Sequence, residues 1–155
     1  MNAEAVAKSA NDRLAMTDAL LRFAEGADRG DEGLLASAFT ADAEIDFEPC
    51  GRSLGLEFGV LRDRAAIVGF LAGIAARQIT SHAVTNPRAA IAGDRASLSA
   101  LVEAVHVIRD EPGARFRMMN RYVADLEWHE DRWAINRLRI VNVWFEGDPR
   151  TLLRR

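Results

Sequence analysis

The feature that most constrains the fold is a change in the spacing of apolar residues near residue 79. From Ile79 onward, apolar and polar residues alternate with a period of two, which is typical of strands that bury one face. The clearest run is RFRMMNRYVADLEW (115–128), which lies between the turn sequences DEPG and HED. One face of this run carries Phe116, Met118, Asn120, Tyr122, Ala124, Leu126 and Trp128. The second half of the chain is therefore predicted to form strands.

The predicted strands follow one another with only short turns between them. They cover residues 79–93 (with a bend at Pro87), 96–108, 115–128 and 132–146. In the last strand the apolar parity changes, because Trp133 and Ile135 are followed by Leu138, Ile140, Asn142 and Trp144. One extra residue near Asn136–Arg137 would cause this change, so a β-bulge is predicted there. Such a bulge would sharpen the curl of an antiparallel sheet.

The first half of the chain shows helical spacing instead. Residues 10–29 are predicted to form a helix, with Leu14, Leu20, Leu21, Phe23 and Ala24 on one side and Asp18, Arg22, Glu25 and Arg29 on the other. Asp31 and Asp63 are well placed to cap a second helix (31–39) and a third (64–78). A short strand is expected at 43–49, a loop or irregular hairpin at 51–62, and a short helix at the C-terminus.

This order of elements predicts an α+β fold. We expect a cone-shaped barrel made of a strongly curved, mainly antiparallel sheet, with three helices packed on its concave side. Such a cone would enclose a pocket lined by the inward face of the strands.

Length, charge and composition narrow the classes of protein to which this chain can belong. The 155 residues predict one domain (1–155), and a net charge of −3 without a basic stripe does not favour a nucleic-acid partner. No apolar run approaches the roughly 20 residues of a membrane span, and no signal core is present.

Cys50 is the only cysteine, so we expect no internal disulfide and a reducing, cytoplasmic location. The sequence holds no H-E-x-x-H, G-x-S-x-G or phosphate-loop motif, so neither a metal nor a cofactor is predicted.

Asp28 is the anomaly of the first helix. It lies four residues after Ala24 and eight after Leu20, so it continues the apolar stripe rather than the charged side. A carboxylate that faces a core needs a partner or must stay protonated. Alternatively, Asp28 reaches water at the helix end or caps backbone amides near Gly30.

Other polar residues also have two interpretations. His82 lies in ITSHAVTNP, where neither strand face is clearly apolar, so it is either a structural histidine or a working base. Asn120 and Tyr122 share an otherwise apolar face and must hydrogen-bond to each other, to water or to a ligand. His106 ends the apolar face of its strand, where it either points toward a pocket rim or caps the strand end.

Three segments together resemble a known family. FAEGADRGDEGLLASAFTADAEIDF, ITSHAVTNP and NRYVADLEWHEDRWAINRLRIVNVWFEGDP, in this order, are similar to the SnoaL-like branch of the nuclear transport factor 2-like superfamily. The resemblance covers nearly the whole chain and implies a helix-filled cone on a curled sheet. The chain looks most like scytalone dehydratase, bile-acid 7α-dehydratase and hexachlorocyclohexane dehydrochlorinase, which eliminate water or HCl with an Asp–His dyad.

The resemblance also implies site residues. Asp28 and His82 fall on the positions of the catalytic dyad, and Asn120 and Tyr122 fall on a polar pair of the pocket. His106 is similar in place to a further pocket histidine, with a loose register.

Phe23 stands where the bile-acid type of enzyme would have a pocket tyrosine, so it is expected to contact substrate without supplying a phenol acid. The implied function is a cofactor-free lyase or isomerase of the dehydratase type. Its substrate would be a small, largely apolar carbonyl or cyclic compound of polyketide, steroid or aromatic type. The alternative is a non-catalytic ligand-binding protein, or one like the β subunit of ring-hydroxylating dioxygenases. The relatives form trimers or dimers, so a homotrimer or homodimer is expected.

Overall fold

A computed structural model describes residues 3–154, and the side chains of residues 8–154. Within this range the chain forms four α-helices, six strands and a terminal 3₁₀ helix. The elements are α1 (Ala3–Arg29), α2 (Glu32–Ala38), β1 (Phe39–Asp46), α3 (Glu48–Leu54), β2 (Val60–Arg62), α4 (Arg64–Arg77), β3 (Gln78–Ala92), β4 (Arg95–Ile108), β5 (Glu111–His129), β6 (Arg132–Gly147) and the 3₁₀ helix Pro149–Leu153. No helix in this range is long and apolar enough to cross a membrane.

The strands form one mixed sheet in the order β2-β1-β6-β5-β4-β3. β1 runs parallel to β6, and every other neighbouring pair is antiparallel. The core lies between the helices and the inner face of this open, curved sheet. The predicted α+β class with a curved, mainly antiparallel sheet is confirmed.

The predicted bulge lies at Asn136. Asp125 pairs with Arg137, whereas Leu126 pairs with Ile135, so Asn136 has no residue opposite it. The extra residue restores the inward direction of the apolar side chains that follow it.

A second bulge lies further along β6 and was not predicted. Met119 pairs with Trp144 and Asn120 pairs with Asn142, so Val143 is the extra residue. The parity therefore changes twice along β6, and Trp144 is 38% exposed instead of facing inward as predicted. Trp128, which was predicted to face inward on β5, is also half exposed.

The buried face of α1 differs in part from the predicted stripe. It consists of Met16, Ala19, Leu20, Phe23, Ala24 and Ala27. Leu14 and Leu21 were predicted to lie in this stripe, but they are 69% and 46% exposed. Leu21 lies about 100° around the helix from Leu20, which is enough to turn it toward solvent.

The helix caps are confirmed, but the region after β1 is not as predicted. The carboxylates of Asp31 and Asp63 accept hydrogen bonds from backbone amides in the first turns of α2 and α4. Pro49 is the last residue of the strand predicted over 43–49, with a loop or irregular hairpin predicted over 51–62. Instead it occupies the first turn of α3, where proline is favoured, and the helix ends at Gly55 with φ 69°. The prediction of three helices misses this short fourth one.

Candidate active site

A cavity of about 460 Å³ lies between the inner face of the sheet and the helices. Five of the six predicted site residues line it: Phe23, His82, His106, Asn120 and Tyr122. The sixth, Asp28, contacts the His82 ring from the last turn of α1. The remaining wall is mainly apolar and includes Phe47, Phe58, Phe70, Leu71, Ile74, Met118, Ile140, Leu152 and Leu153.

The Asp28 carboxylate joins α1 to β3 through three hydrogen bonds. Its Oδ1 lies 2.6 Å from His82 Nδ1 and accepts from Thr80 Oγ1 at 2.9 Å. Its Oδ2 accepts from the backbone amide of His82 at 2.9 Å. The side chain of His82 is 9% exposed and that of Asp28 is 23% exposed, so the pair is largely shielded from solvent.

The strand register decides which way His82 points. His82 pairs with Ala104 and Thr80 pairs with His106, and directly opposite residues of an antiparallel pair project to the same side of the sheet. Ala104 and His106 are both buried, so Thr80 and His82 also face the interior. Two residues of separation put Thr80 and His82 on one face, where Asp28 reaches both of them.

The electrostatics of the pair favour a charged Asp28. Burial opposes the charged form, but the hydrogen bonds and charge of His82, together with the Thr80 hydroxyl, outweigh it. The pKa of Asp28 therefore falls below its ordinary value of 3.8. A carboxylate can only accept hydrogen bonds, so His82 Nδ1 carries the hydrogen of this contact, and in the neutral imidazole Nε2 holds the lone pair.

His106 lies beside His82 on the cavity wall. The two ring centroids are 6.0 Å apart, and His106 Nδ1 lies 2.8 Å from the Oε1 atom of the buried Gln78. Burial lowers the pKa of His106 to about 3, the nearby His82 acts in the same direction, and Asp28 opposes the shift. His106 is therefore a neutral imidazole near neutral pH.

Asn120 and Tyr122 line the wall on β5. Tyr122 is 3% exposed, and burial raises its pKa well above 10, so the phenol keeps its proton. Asn120 is 1% exposed, and its Oδ1 accepts from Asn142 Nδ2 at 3.1 Å. Phe23 meets the His82 and Tyr122 rings edge-on, with centroids 6.0 and 5.9 Å away, which limits the movement of both rings.

Several contributors to this site were missed at the sequence level. Thr80 could have been found, because it shares a strand face with His82 at a spacing of two. Gln78 and Asn142 give no local signal of their hydrogen-bond partners, which lie on other strands. Cys50 on α3 and Phe47 just before it also line the cavity, and this helix was not predicted.

A second, more open depression of about 690 Å³ is lined mainly by charged and small side chains, among them Glu44, Asp125 and Arg137. It contains no histidine or cysteine. Among the described residues, no group of three or more His, Cys, Asp and Glu side chains is arranged to hold a metal ion. The histidine-lined cavity is therefore the candidate active site.

The helices and the curved sheet enclose an apolar cavity that holds a group of polar residues, and this architecture is the nuclear transport factor 2-like fold. Residues 8–139 match the family model of the SnoaL-like domain. The chain belongs to the SnoaL-like family. A search of curated proteins found no match.

Solved structures share the fold at low identity. A candidate aromatic ring hydroxylase from Novosphingobium aromaticivorans is 24% identical, with a TM-score of 0.80 over 92% of this chain and 96% of that one. A candidate scytalone dehydratase from the same organism is 19% identical, with a TM-score of 0.78 over 92% and 91%. A type 2 hexachlorocyclohexane dehydrochlorinase (LinA) is 19% identical, with a TM-score of 0.74 over 89% of each chain. At these identities the likeness shows the fold.

Proposed function

We propose that this protein is a cofactor-free lyase or isomerase in which Asp28 and His82 act as a general base. The substrate would be a small, largely apolar carbonyl or cyclic compound. The observation that carries the proposal is the 2.6 Å contact between Asp28 Oδ1 and His82 Nδ1, made by a histidine ring that lines a 460 Å³ cavity. This distance lies within the range of about 2.6–3.2 Å that a working hydrogen bond needs.

The pair divides the work of a base between two groups. His82 Nε2, the ring nitrogen left free by Asp28, takes a proton from a carbon next to the activating group of the substrate. Asp28 holds the ring in the required tautomer, and its negative charge stabilises the imidazolium that forms. The lowered pKa of Asp28 supports this role, because the carboxylate is then charged near neutral pH.

Removal of the proton leaves the electron pair of the C–H bond on the substrate. In a carbonyl substrate these electrons form an enolate, and its oxygen gains the negative charge. The Tyr122 hydroxyl and the Asn120 amide would donate hydrogen bonds to that oxygen. In an elimination the leaving group then departs with its electron pair, whereas in an isomerisation the proton returns to a different carbon.

His106 and Phe23 complete the proposed substrate contacts. A neutral His106 neither competes for the proton nor adds a positive charge beside His82. The apolar wall around these groups keeps water away from the base and matches a ring-shaped or otherwise apolar ligand.

Proton exchange tests the base without knowledge of the natural substrate. The ketone 2-tetralone in D₂O exchanges its α-hydrogens, and NMR follows the rate. The wild-type protein should accelerate this exchange. His82→Gln and Asp28→Asn should lower the enzyme-dependent rate, by about 10²–10⁴-fold for the loss of the base itself.

His129→Gln is the matched control, because it removes an exposed histidine at the end of β5. If Asp28→Asn and His82→Gln both exchange the ketone at the wild-type rate, the proposed base is wrong.

The alternative of a non-catalytic binding protein or dioxygenase-β-like subunit makes two opposite predictions. It expects a cavity that is filled or too small for a substrate, and an Asp28 that does not reach His82. The open cavity and the 2.6 Å contact favour the lyase or isomerase proposal over it. We further propose that the protein works in the cytoplasm as a homotrimer or homodimer.

A further inference from the structure

Asn120 carries a buried hydrogen-bond donor without a partner. Its side chain is 1% exposed and lines the cavity, and its Nδ2 finds no acceptor among the described residues. Buried polar groups are nearly always satisfied, by protein, water or ligand. An unpaired amide at a cavity wall therefore points to an acceptor that arrives with the ligand.

The other end of the Asn120 amide is held by two donors. Its Oδ1 accepts from Asn142 Nδ2 at 3.1 Å, and the Cys50 thiol lies at 3.9 Å. Burial raises the pKa of Cys50 to about 11, so the thiol keeps its hydrogen and can donate it. Both neighbours hold the oxygen of Asn120, and its amide hydrogens are left without a partner among the described residues.

The orientation of Asn142 is itself determined by backbone atoms. Its Nδ2 lies 3.3 Å from the Met119 carbonyl oxygen and 3.0 Å from that of Trp144. Backbone carbonyls only accept, so the NH₂ end of Asn142 must face them, and the same NH₂ group meets Asn120. The two hydrogens of this NH₂ group are thus shared among three acceptor oxygens, an arrangement that requires Asn120 to turn its oxygen toward Asn142.

The bulge at Val143 explains why these carbonyls converge. The extra residue breaks the regular pairing between Met119 and Asn120, which places Asn142 beside Asn120 with Trp144 just beyond. In an unbulged strand, the side chains and carbonyls would follow the regular ladder. The second bulge of β6 thus shapes the active site rather than only the curvature of the sheet.

We propose that Asn142 is a positioning residue that holds Asn120 with its NH₂ group toward the cavity, so that the substrate must present an oxygen acceptor there. The inference deepens the proposed function and rests on it for the identity of this cavity as the active site. It narrows the substrate class to carbonyl compounds, whose oxygen accepts a hydrogen bond, over hydrocarbon or halogenated rings that have no such oxygen.

Equilibrium binding of a matched pair of ligands tests this proposal. 1-Tetralone and tetralin have the same fused-ring skeleton, but only the ketone has an acceptor oxygen. The quantity to compare is the ratio of the Kd for 1-tetralone to the Kd for tetralin, because differences in hydration of the free ligands cancel between protein variants. Loss of one neutral hydrogen bond should raise this ratio about three- to tenfold.

Asn142→Asp is the sharpest variant. A carboxylate at this position only accepts, so Asn120 would turn its NH₂ toward it and present oxygen to the ketone. Asn142→Leu removes the constraint without adding charge and provides a second variant if the first does not fold. Asn136→Asp is the matched control, because Asn136 lies at the other bulge of β6 and bonds to Thr40 rather than to the cavity. It should leave the ratio unchanged.

A measurement on the wild-type protein needs no substitution in the network. The side-chain ¹⁵N–¹H signals of Asn120 should shift on addition of 1-tetralone and stay in place with tetralin. A Kd ratio that is unchanged in the folded Asn142 variants, with no ketone-dependent shift of the Asn120 signals, would overturn the proposal. Binding does not need proton transfer, so the Kd ratio and the hydrogen-exchange rate are independent measurements, and the failure of the base and the failure of this inference are distinguishable.

Discussion

Lowering the pH from about 7.5 to about 5 should destabilise the protein through His106. This ring is 6% exposed, donates from Nδ1 to Gln78 Oε1 and lies beside His82. Burial lowers its pKa from 6.5 to about 3. In the unfolded chain the same histidine would titrate near its ordinary value.

The sign and size follow from proton linkage. Between these two pKa values the unfolded chain binds a proton that the folded protein does not, so stability rises with pH across this window. At about pH 5 the protonated form of the unfolded histidine exceeds the neutral form about thirtyfold, whereas folded His106 stays neutral. This difference corresponds to about 2 kcal/mol of stability lost relative to pH 7.5. The loss continues until the pH falls to the folded pKa of about 3.

Urea unfolding at the two pH values measures this effect. His106→Asn keeps an N–H donor toward Gln78 but cannot titrate, so it should lose about 2 kcal/mol less than the wild type over the interval. His129→Asn is the matched control, because it removes an exposed histidine at the end of β5, and it should behave as the wild type. If the wild type and His106→Asn lose the same free energy of unfolding to within about 0.5 kcal/mol, the reasoning is refuted.

Two further predictions concern packing and assembly. Gly26→Ala should destabilise the protein by about 1–3 kcal/mol, because a Cβ there would lie 2.7 Å from the backbone nitrogen of Leu35. Gly69→Ala should stabilise the protein by up to about 1 kcal/mol, because a Cβ at this position of α4 would meet open space. Urea unfolding measures both variants, and changes in the free energy of unfolding that have the same sign would contradict the packing argument. Trp144 and Phe145 are 38% and 40% exposed on β6, and a homodimer or homotrimer would cover them. Light scattering should therefore give two or three times the 17.1 kDa of one chain, and a monomer mass would contradict the proposed assembly.

Much of the fold could be predicted because its signals are local. The period-two alternation predicts the long strands of the meander, since strand side chains alternate between two faces. Asp31 and Asp63 predict helix starts, because a carboxylate can accept from a backbone amide three residues later. The parity change at Asn136 predicts one bulge, because an extra residue must shift every side chain after it.

The predictions from sequence were wrong where one local pattern is compatible with two structures. Pro49 ends a strand or begins a helix equally well, and the helix is the form that buries Cys50, Gly51 and Leu54. The second bulge at Val143 follows the first so closely that a single change of parity was the simpler interpretation. Leu14 and Leu21 fit an apolar stripe by spacing, but the position of the sheet leaves them on the solvent side of α1.

The sequence by itself determined the α+β class, most of the strand pattern and the family resemblance, and it named Asp28, His82, Asn120 and Tyr122 as candidates. The tertiary structure alone decided what these residues touch. It turned His82 toward the interior, set Asp28 against a partner 54 residues away, and oriented Asn120 through Asn142, 22 residues away on the next strand. Periodicity reports the face on which a residue lies, but hydrogen bonds between distant segments depend on register and on bulges, and these form only when the strands pair.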